Sequence, residues 1–293
     1  MKIAVTGPSG LIGSAAVGAL RADGHDVRSL VRREPRRPDE VRWTPGVVAP
    51  ETVEGVDAVL HLAGAGVGDR RWSASWQAQV LNSRVDGTTT IARSIAACDR
   101  PPTVLLTASG VGWYGDTGER EVDETDPVGE GFLADVVRRW EAAAENAVAA
   151  GVRVVYLRSG IVLSPKGGTL GKLLPLFRLG VGGRLGSGRQ WVSWIALPDE
   201  VAAIRHLLTT DVSGPVNVVT GAVRNVELTA AIARAVHRPA ILPVPGFALR
   251  AVLGGFADEA VLGGQRVDPA GLRRAGFRWS LPDLDTALAA LLR

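Results

Sequence analysis

The tightest constraint on this chain lies at its start, where Lys2 to Leu20 reads K-I-A-V-T-G-P-S-G-L-I-G-S-A-A-V-G-A-L. The apolar run Ile3 to Val5 predicts a buried strand, and Leu11, Ile12, Ala15, Ala16, Ala19 and Leu20 recur at helical spacing. Between the two, Gly7, Gly10 and Gly13 are spaced G-x-x-G-x-x-G. In such a turn the first glycine permits a tight bend, the second lets the backbone approach a ligand, and the third lets helix and strand pack closely. Free N–H groups and the positive end of the dipole then meet at the helix N-terminus, which suits a pyrophosphate. A ligand-free strand-to-helix connection would use the same glycines. What favours dinucleotide binding is the motif's position, after a strand and opening a helix.

Several function classes drop out on composition. The chain has 293 residues and a formal net charge of only +3, with no long basic run and no interleaving of aromatic and basic residues, so nucleic acid is not an expected partner. A single cysteine, Cys98, forms no disulfide framework, and His25, His61, His206 and His237 are scattered without metal-ligand spacing, so no metal is expected. There is no charged-then-apolar leader, and no apolar stretch approaches the roughly 18 residues of a membrane span. A soluble, cytoplasmic protein without a membrane partner is the expectation.

Strands and helices alternate through the first half. Asp26 to Val31 predicts a second strand that runs into Arg32 and Arg33, with Arg36 and Arg37 following. In dinucleotide folds this strand end faces the adenosine ribose, where an acidic residue accepts from the 2′-hydroxyl. A guanidinium instead matches a 2′-phosphate bidentately, which points to NADP(H); a solvated charged loop is the alternative. Val56 to Gly66 predicts a strand ending in small residues, and a helix follows from Trp72 toward Ala96. The strand Thr103 to Leu106 enters the glycine-rich, hydroxyl-bearing loop Thr107 to Asp116. A helix is expected through Val136, Trp140, Ala144 and Val148 with Gly151 as its cap, then a strand over Val152 to Leu157 ending at Arg158-Ser159-Gly160. The pattern predicts an α/β fold, a Rossmann-type doubly wound parallel sheet. Beyond Gly160, loop-like glycine runs, a helix over Pro198 to Leu208, a strand over Val216 to Val219 and a helix over Val226 to Val236 precede a small helical lobe. The expected division is a core of residues 1–165 to which 190–220 return, and a mostly helical substrate lobe of 166–189 and 221–293.

These landmarks resemble the extended epimerase/dehydratase branch of the short-chain dehydrogenase/reductase superfamily. The residues carrying the resemblance are Thr6 to Gly13, H-L-A-G at His61 to Gly64, R-V-D-G-T at Arg84 to Thr88, and S-x-x-x-x-Y-G at Ser109 to Gly115. A closer similarity is to an atypical group of epimerase family proteins, carried by S-G-V-G-W-Y-G-D, by L-R-S-G-I-V-L-S at Leu157 to Ser164, and by G-S-G-R-Q-W-V-S-W-I at Gly186 to Ile195. L-P-V-P-G-F at Leu242 to Phe247 and L-G-G-Q-R-V at Leu262 to Val267 extend it to the C-terminal lobe.

The resemblance implies an NADP(H) site built from Gly7, Ser9, Gly10, Leu11, Ile12, Gly13, Arg32, Arg33, Leu62, Ala63, Gly64, Arg84 and Arg158. It also implies a small carbonyl or hydroxyl substrate and, as is usual among related proteins, a homodimer. One part of the pattern is missing. Superfamily members ordinarily use a Y-x-x-x-K pair, but the two tyrosines here, Tyr114 and Tyr156, are followed four residues later by Gly118 and Gly160. Apolar residues fill the expected region, Phe132 to Val137. Ser109 and Tyr114 are the candidate replacements, with a strand-end cap and a packing aromatic as their structural alternatives. Arg184 and Arg189 are candidates for an anionic substrate, and Trp191 and Trp194 for a pocket wall or for core. A non-catalytic NADP(H) sensor or a regulatory protein remains the rival reading of the whole chain.

Overall fold

The computed structural model describes residues 1–293. The opening residues form β1 (Lys2–Thr6) and α1 (Leu11–Ala22), followed by β2 (Asp26–Val31) and a short β3 (Glu40–Arg42). Then come β4 (Ala58–His61), the long α2 (Ala74–Ala96) and β5 (Val104–Gly110). After a two-residue β6 (Glu121–Val122), α3 (Phe132–Ala142) and α4 (Glu145–Ala149) lead into β7 (Arg153–Ser159) and β8 (Ile161–Leu163). The single helix expected through Val148 is therefore two. It breaks at Ala143 and Ala144, where the Ala144 N–H tightens onto the Glu141 carbonyl at 3.2 Å; Gly151, at φ +78°, ends the second piece as expected.

The remaining elements are α5 (Gly168–Arg178), β9 (Trp191–Ala196), α6 (Leu197–Thr209), β10 (Gly214–Val218), β11 (Gly221–Arg224) and α7 (Asn225–Val236). The C-terminal lobe adds α8 (Gly246–Leu253), a π-helical turn at Asp258–Leu262, β12 (Arg266–Val267), α9 (Ala270–Arg274) and α10 (Leu284–Leu291).

Seven strands make one parallel sheet in the order β10-β7-β5-β4-β1-β2-β3. Its strands are apolar on both faces because both are covered. Ile3, Val5, Leu60, Leu106, Leu157 and Val218 meet Ala16 and Leu20 of α1 and Ile204 and Leu207 of α6 on one face. Ala4, Val59, Leu105 and Val154 meet Ile91 and Ile95 of α2 and Ala144 and Ala147 on the other. Strand alternation thus assigns every side chain at the carboxyl end to the α6 face or the α2–α3 face. The chain reverses direction across the sheet between β1 and β4, the switch point at which open sheets bind ligands.

β9 does not join this sheet. It pairs with β8 and β11 in a separate three-stranded sheet, while α6 and β10 do return to the main one. β12 pairs with β6, and the Asp199 carboxylate at the start of α6 accepts from the Ser280 and Leu281 N–H groups at 2.9 and 3.0 Å; together they pin the C-terminal lobe to the core. No helix is long and apolar enough to cross a membrane.

Candidate functional site

The three glycines of the first turn do different jobs. Gly7 sits at φ +67°, and a Cβ there would lie 2.9 Å from the Leu62 carbonyl carbon. A Cβ on Gly13 would lie 2.1 Å from the Gly7 carbonyl oxygen, so these two glycines serve close packing within the protein. Gly10 differs, since a Cβ on it would meet only the Gly7 oxygen, at 3.4 Å. Gly10 is the N-cap of α1, no side chain caps that turn, and Ser9 and Gly10 are exposed. The first-turn N–H groups, at Leu11, Ile12 and Gly13, are thus presented to an outside acceptor at the positive end of the helix. Leu11 also packs against the loop after β8, 3.5 Å from the Cβ position of Gly167, so that loop flanks the turn.

The neighbouring H-L-A-G stretch is fixed by Thr6. Its hydroxyl accepts from the Leu62 and Ala63 N–H groups at 3.0 and 3.2 Å. With both lone pairs engaged it donates to His61 Nδ1, 2.8 Å away, which leaves the His61 proton on Nε2. That nitrogen has no polar partner and the ring stands edge-on to Trp43, so burial pushes the His61 pKa down to about 4. His61 is a neutral strut that holds Leu62, Ala63 and Gly64 beside the glycine turn.

The arginines separate into free and committed. Arg33 forks onto Glu40 at 2.7 and 2.8 Å and holds that carboxyl down to about 2. Arg32 is exposed and has no acidic partner. Arg84, only 8% exposed, donates to the Ala65 and Val80 carbonyls at 2.8 and 3.0 Å and lies over the Trp140 ring, 4.8 Å from its centroid. No carboxylate pairs with it, and burial lowers its pKa to about 10. Its guanidinium is 3.6 Å from the Cβ position of Gly64, at the edge of the β4 loop.

Ser109, Tyr114 and Arg158 are brought together, on the α2–α3 face. Arg158 is buried and forms a bidentate ion pair with Glu141 of α3 at 2.8 and 2.9 Å. The Ser109 hydroxyl donates to the same Glu141 at 2.6 Å. Arg158 also donates to the Tyr114 hydroxyl at 3.2 Å and stacks on Trp113, while Tyr114 donates to Asn217 Oδ1 at 2.7 Å. Burial pushes the Tyr114 phenol up to about 12, against the pull of the neighbouring Arg158. The Ser109 and Tyr114 hydroxyls are both hydrogen-bonded within the protein, and the Arg158 guanidinium is enclosed by Glu141, Trp113 and Tyr114.

The start of α3 is apolar in space as well as in sequence. Phe132, Leu133 and Val136 pack with Trp72, Trp76, Val80 and Phe256. The Glu259 carboxylate, from the π-helical turn, accepts from the Phe132 and Leu133 N–H groups at 2.9 and 2.7 Å and so caps α3 from the C-terminal lobe. Two surface cavities, of about 300 and 200 Å³, lie elsewhere and include no residue of the glycine turn. The site is therefore located by strand ends and free backbone donors rather than by cavity size.

Residues 3–220 match the model of the NAD dependent epimerase/dehydratase family, and residues 244–291 match a domain of unknown function, DUF1731. An epimerase family protein of Mycobacterium tuberculosis is 46% identical over 290 residues, covering 98% of this chain and 96% of that protein. The epimerase family protein SDR39U1 of Bos taurus is 38% identical with complete coverage of both chains. The chain belongs to the epimerase/dehydratase family. The crystal structure of human SDR39U1 with NADPH superposes on it at a TM-score of 0.90, with 33% identity, over 100% of this chain and 99% of that one.

Trp194 is 2% exposed and packs in a core with Leu163, Leu174 and Leu228, whereas the Arg224 and Arg266 guanidinium groups lie 3.8 and 4.9 Å from the Trp191 ring centroid. Arg184 donates to the Ser187 carbonyl within its own loop. Sequence reasoning missed Glu141, Asn217 and Glu200. Glu141 sits in W-E-A-A-A-E, which reads as the solvent face of a helix, and Glu200 in L-P-D-E, which reads as ordinary first-turn acid.

Proposed function

We propose that this chain binds NADP(H) and acts as an oxidoreductase or epimerase-like enzyme on a small carbonyl or hydroxyl substrate. The observation that carries the reading is the uncapped first turn of α1, open at Gly10 and lying at the switch between β1 and β4. Those N–H groups hold the pyrophosphate, and Arg32, free of any acid at the end of β2, takes the 2′-phosphate. Arg33 contributes less because Glu40 already claims it. Leu62 to Gly64, positioned by Thr6, supply a floor of small side chains and backbone, with Arg84 as the nearby cation. The NADPH held by the human relative supports the same reading. When bound, a nicotinamide supplies or accepts a hydride, and the protein provides orientation and electrostatics.

A second reading, a non-catalytic NADP(H) sensor, is favoured by one specific observation: the Ser109 and Tyr114 hydroxyls are locked into the Glu141–Arg158 network and α3 opens with apolar residues. Calorimetry with NADPH and NADH tests the shared part. Arg32→Ala is expected to weaken NADPH by about 10-fold or more, the worth of one charge-assisted contact, and to leave NADH unchanged. Binding of neither coenzyme refutes the reading, and equal losses for both refute the role of Arg32. Nicotinamide fluorescence over ketones, aldehydes and nucleotide sugars then separates turnover from binding alone.

A further inference from the structure

The face of the sheet opposite Ser109 and Arg158 carries a different pair. Gly110 and Ser159 are partners in the β5–β7 register, and alternation turns both toward α6 while Ser109 and Arg158 turn toward α3. A Cβ on Gly110 would meet only the Gly112 nitrogen and the Ser159 carbonyl oxygen, each at 3.9 Å, so no side chain fills the position beside Ser159 at the carboxyl end of the sheet and an added atom there would not clash. Ser159 itself is held firmly. The next residue, Gly160, lies where a Cβ would come within 2.5 Å of the Ser193 carbonyl, and its N–H donates to Val218. The half-buried Ser159 hydroxyl donates to Glu200 Oε1 at 2.7 Å. Glu200 is 1% exposed, and its other oxygen, Oε2, is buried with no hydrogen-bond partner.

We propose that Ser159 and Glu200 handle the substrate proton in this site, with Glu200 storing it and the Ser159 hydroxyl passing it to the substrate oxygen. The proposal rests on the NADP(H)-dependent reading above. When Glu200 is protonated it donates to Ser159 Oγ and frees the Ser159 O–H to point at the ligand. In reduction, the carbonyl carbon gains a hydride from a reduced nicotinamide, and its oxygen takes the Ser159 proton. Ser159 then recovers a proton from Glu200, and the Glu200 carboxylate is reprotonated by water through Ser159 after product leaves. Oxidation of a hydroxyl runs the same chain backwards. Ser159 is the catalytic residue and Glu200 acts through it.

The surroundings favour a stored proton. Burial raises the Glu200 pKa to about 7, the Ser159 hydrogen bond opposing it. No charged residue lies on β5, β8 or β9, and Arg21, the sole charge on α1, pairs with Asp39. On α6, Asp199 caps the C-terminal segment, Arg205 pairs with Asp23 and His206 contacts the Ala275 carbonyl. Arg273, Arg274 and Arg278 of that segment are exposed. The α6 N-terminus favours the carboxylate by less than the lost hydration of an oxygen with no partner favours the acid.

The test uses the whole chain in wild-type, Ser159→Ala, Ser159→Thr and Glu200→Gln forms, with thermal melts confirming that each folds. Infrared titration of the ligand-free protein is expected to show one protonated carboxyl that ionises near neutrality and is absent in Glu200→Gln. With NADPH and phenanthrenequinone as the carbonyl probe, Ser159→Ala is expected to lower kcat by about 100-fold at unchanged NADPH affinity, with Ser159→Thr restoring most of it. The wild-type rate should fall as pH rises through about 7, and Glu200→Gln should lack that limb. A carboxyl that titrates in the ordinary range, or Ser159→Ala turning over at the wild-type rate, overturns the proposal. NADPH binding without any quinone reduction by the wild type also overturns it while leaving coenzyme binding intact. No NADPH binding at all removes the underlying reading instead.

Discussion

Replacing Glu141 by alanine would test whether the polar cluster on the α2–α3 face is scaffold. The Arg158 side chain is 2% exposed and the Glu141 side chain 10%, so neither charge is solvated in the folded protein. Deleting the carboxylate strands the guanidinium between the Trp113 ring, 4.0 Å away, and the Tyr114 hydroxyl, and orphans the Ser109 hydroxyl as well. An uncompensated buried charge costs about 3–5 kcal/mol, and a lost hydroxyl partner about 1–3 kcal/mol more, with the two overlapping rather than adding. Against a typical stability of about 5–15 kcal/mol, Glu141→Ala should lose a third or more of the total. Removing the whole unit as Glu141→Leu, Arg158→Met and Ser109→Ala replaces it with apolar groups of similar size and should recover most of that loss. Urea denaturation with an unchanged slope reads both effects. A single variant within about 1 kcal/mol of wild type, or a triple variant no better than the single one, would refute the scaffold argument.

Two further outcomes follow from the same geometry. His61 stays neutral in the fold until about pH 4, so the unfolded chain binds its proton first and stability drains as pH falls from about 6.5 toward 4. Between pH 7 and 4.5 this amounts to roughly 2 kcal/mol, and Glu200, whose folded pKa is raised, changes in the opposite sense by gaining stability as it is protonated. The measurement is therefore the difference in urea midpoints between wild type and His61→Gln at the two pH values, and an equal acid loss in both disproves it. Glu259→Ala should remove the cap on α3 at a cost of about 1 kcal/mol and speed hydrogen exchange at the Phe132 and Leu133 amides. Unchanged protection there would show that the C-terminal lobe does not hold that turn.

The β1–α1 turn was legible because its constraint is local. Gly7 and Gly13 answer to atoms within the same motif or one strand away, and their spacing alone announces the bend. Strand alternation with helices likewise revealed the parallel sheet, because strands covered on both faces are apolar throughout. The short strands β6 and β12 were invisible, since each is two residues long and exists only because the two lobes meet. Arg32 and Arg33 looked equivalent in sequence, and only the fold of β3 puts Glu40 within reach of one of them.

The same logic explains which way the motif hydroxyls face. A serine at a strand end has even odds of facing either layer, and one residue decides it: Leu106 enters the α6 core, so Ala108 and Gly110 follow it, and Ser109 faces α3. What waits on each face is set by residues far away in sequence. On the α3 side Glu141 gives Ser109 and Arg158 complete partners and leaves Tyr114 a phenol pushed up to about 12, a poor proton donor at neutral pH. On the α6 side Glu200 has one oxygen satisfied by Ser159 and one left over. A fully partnered buried group stabilises, whereas an incompletely partnered one costs free energy and persists when something else requires it. Glu200 Oε2 is such an atom, across the sheet from the hydroxyls of the motif.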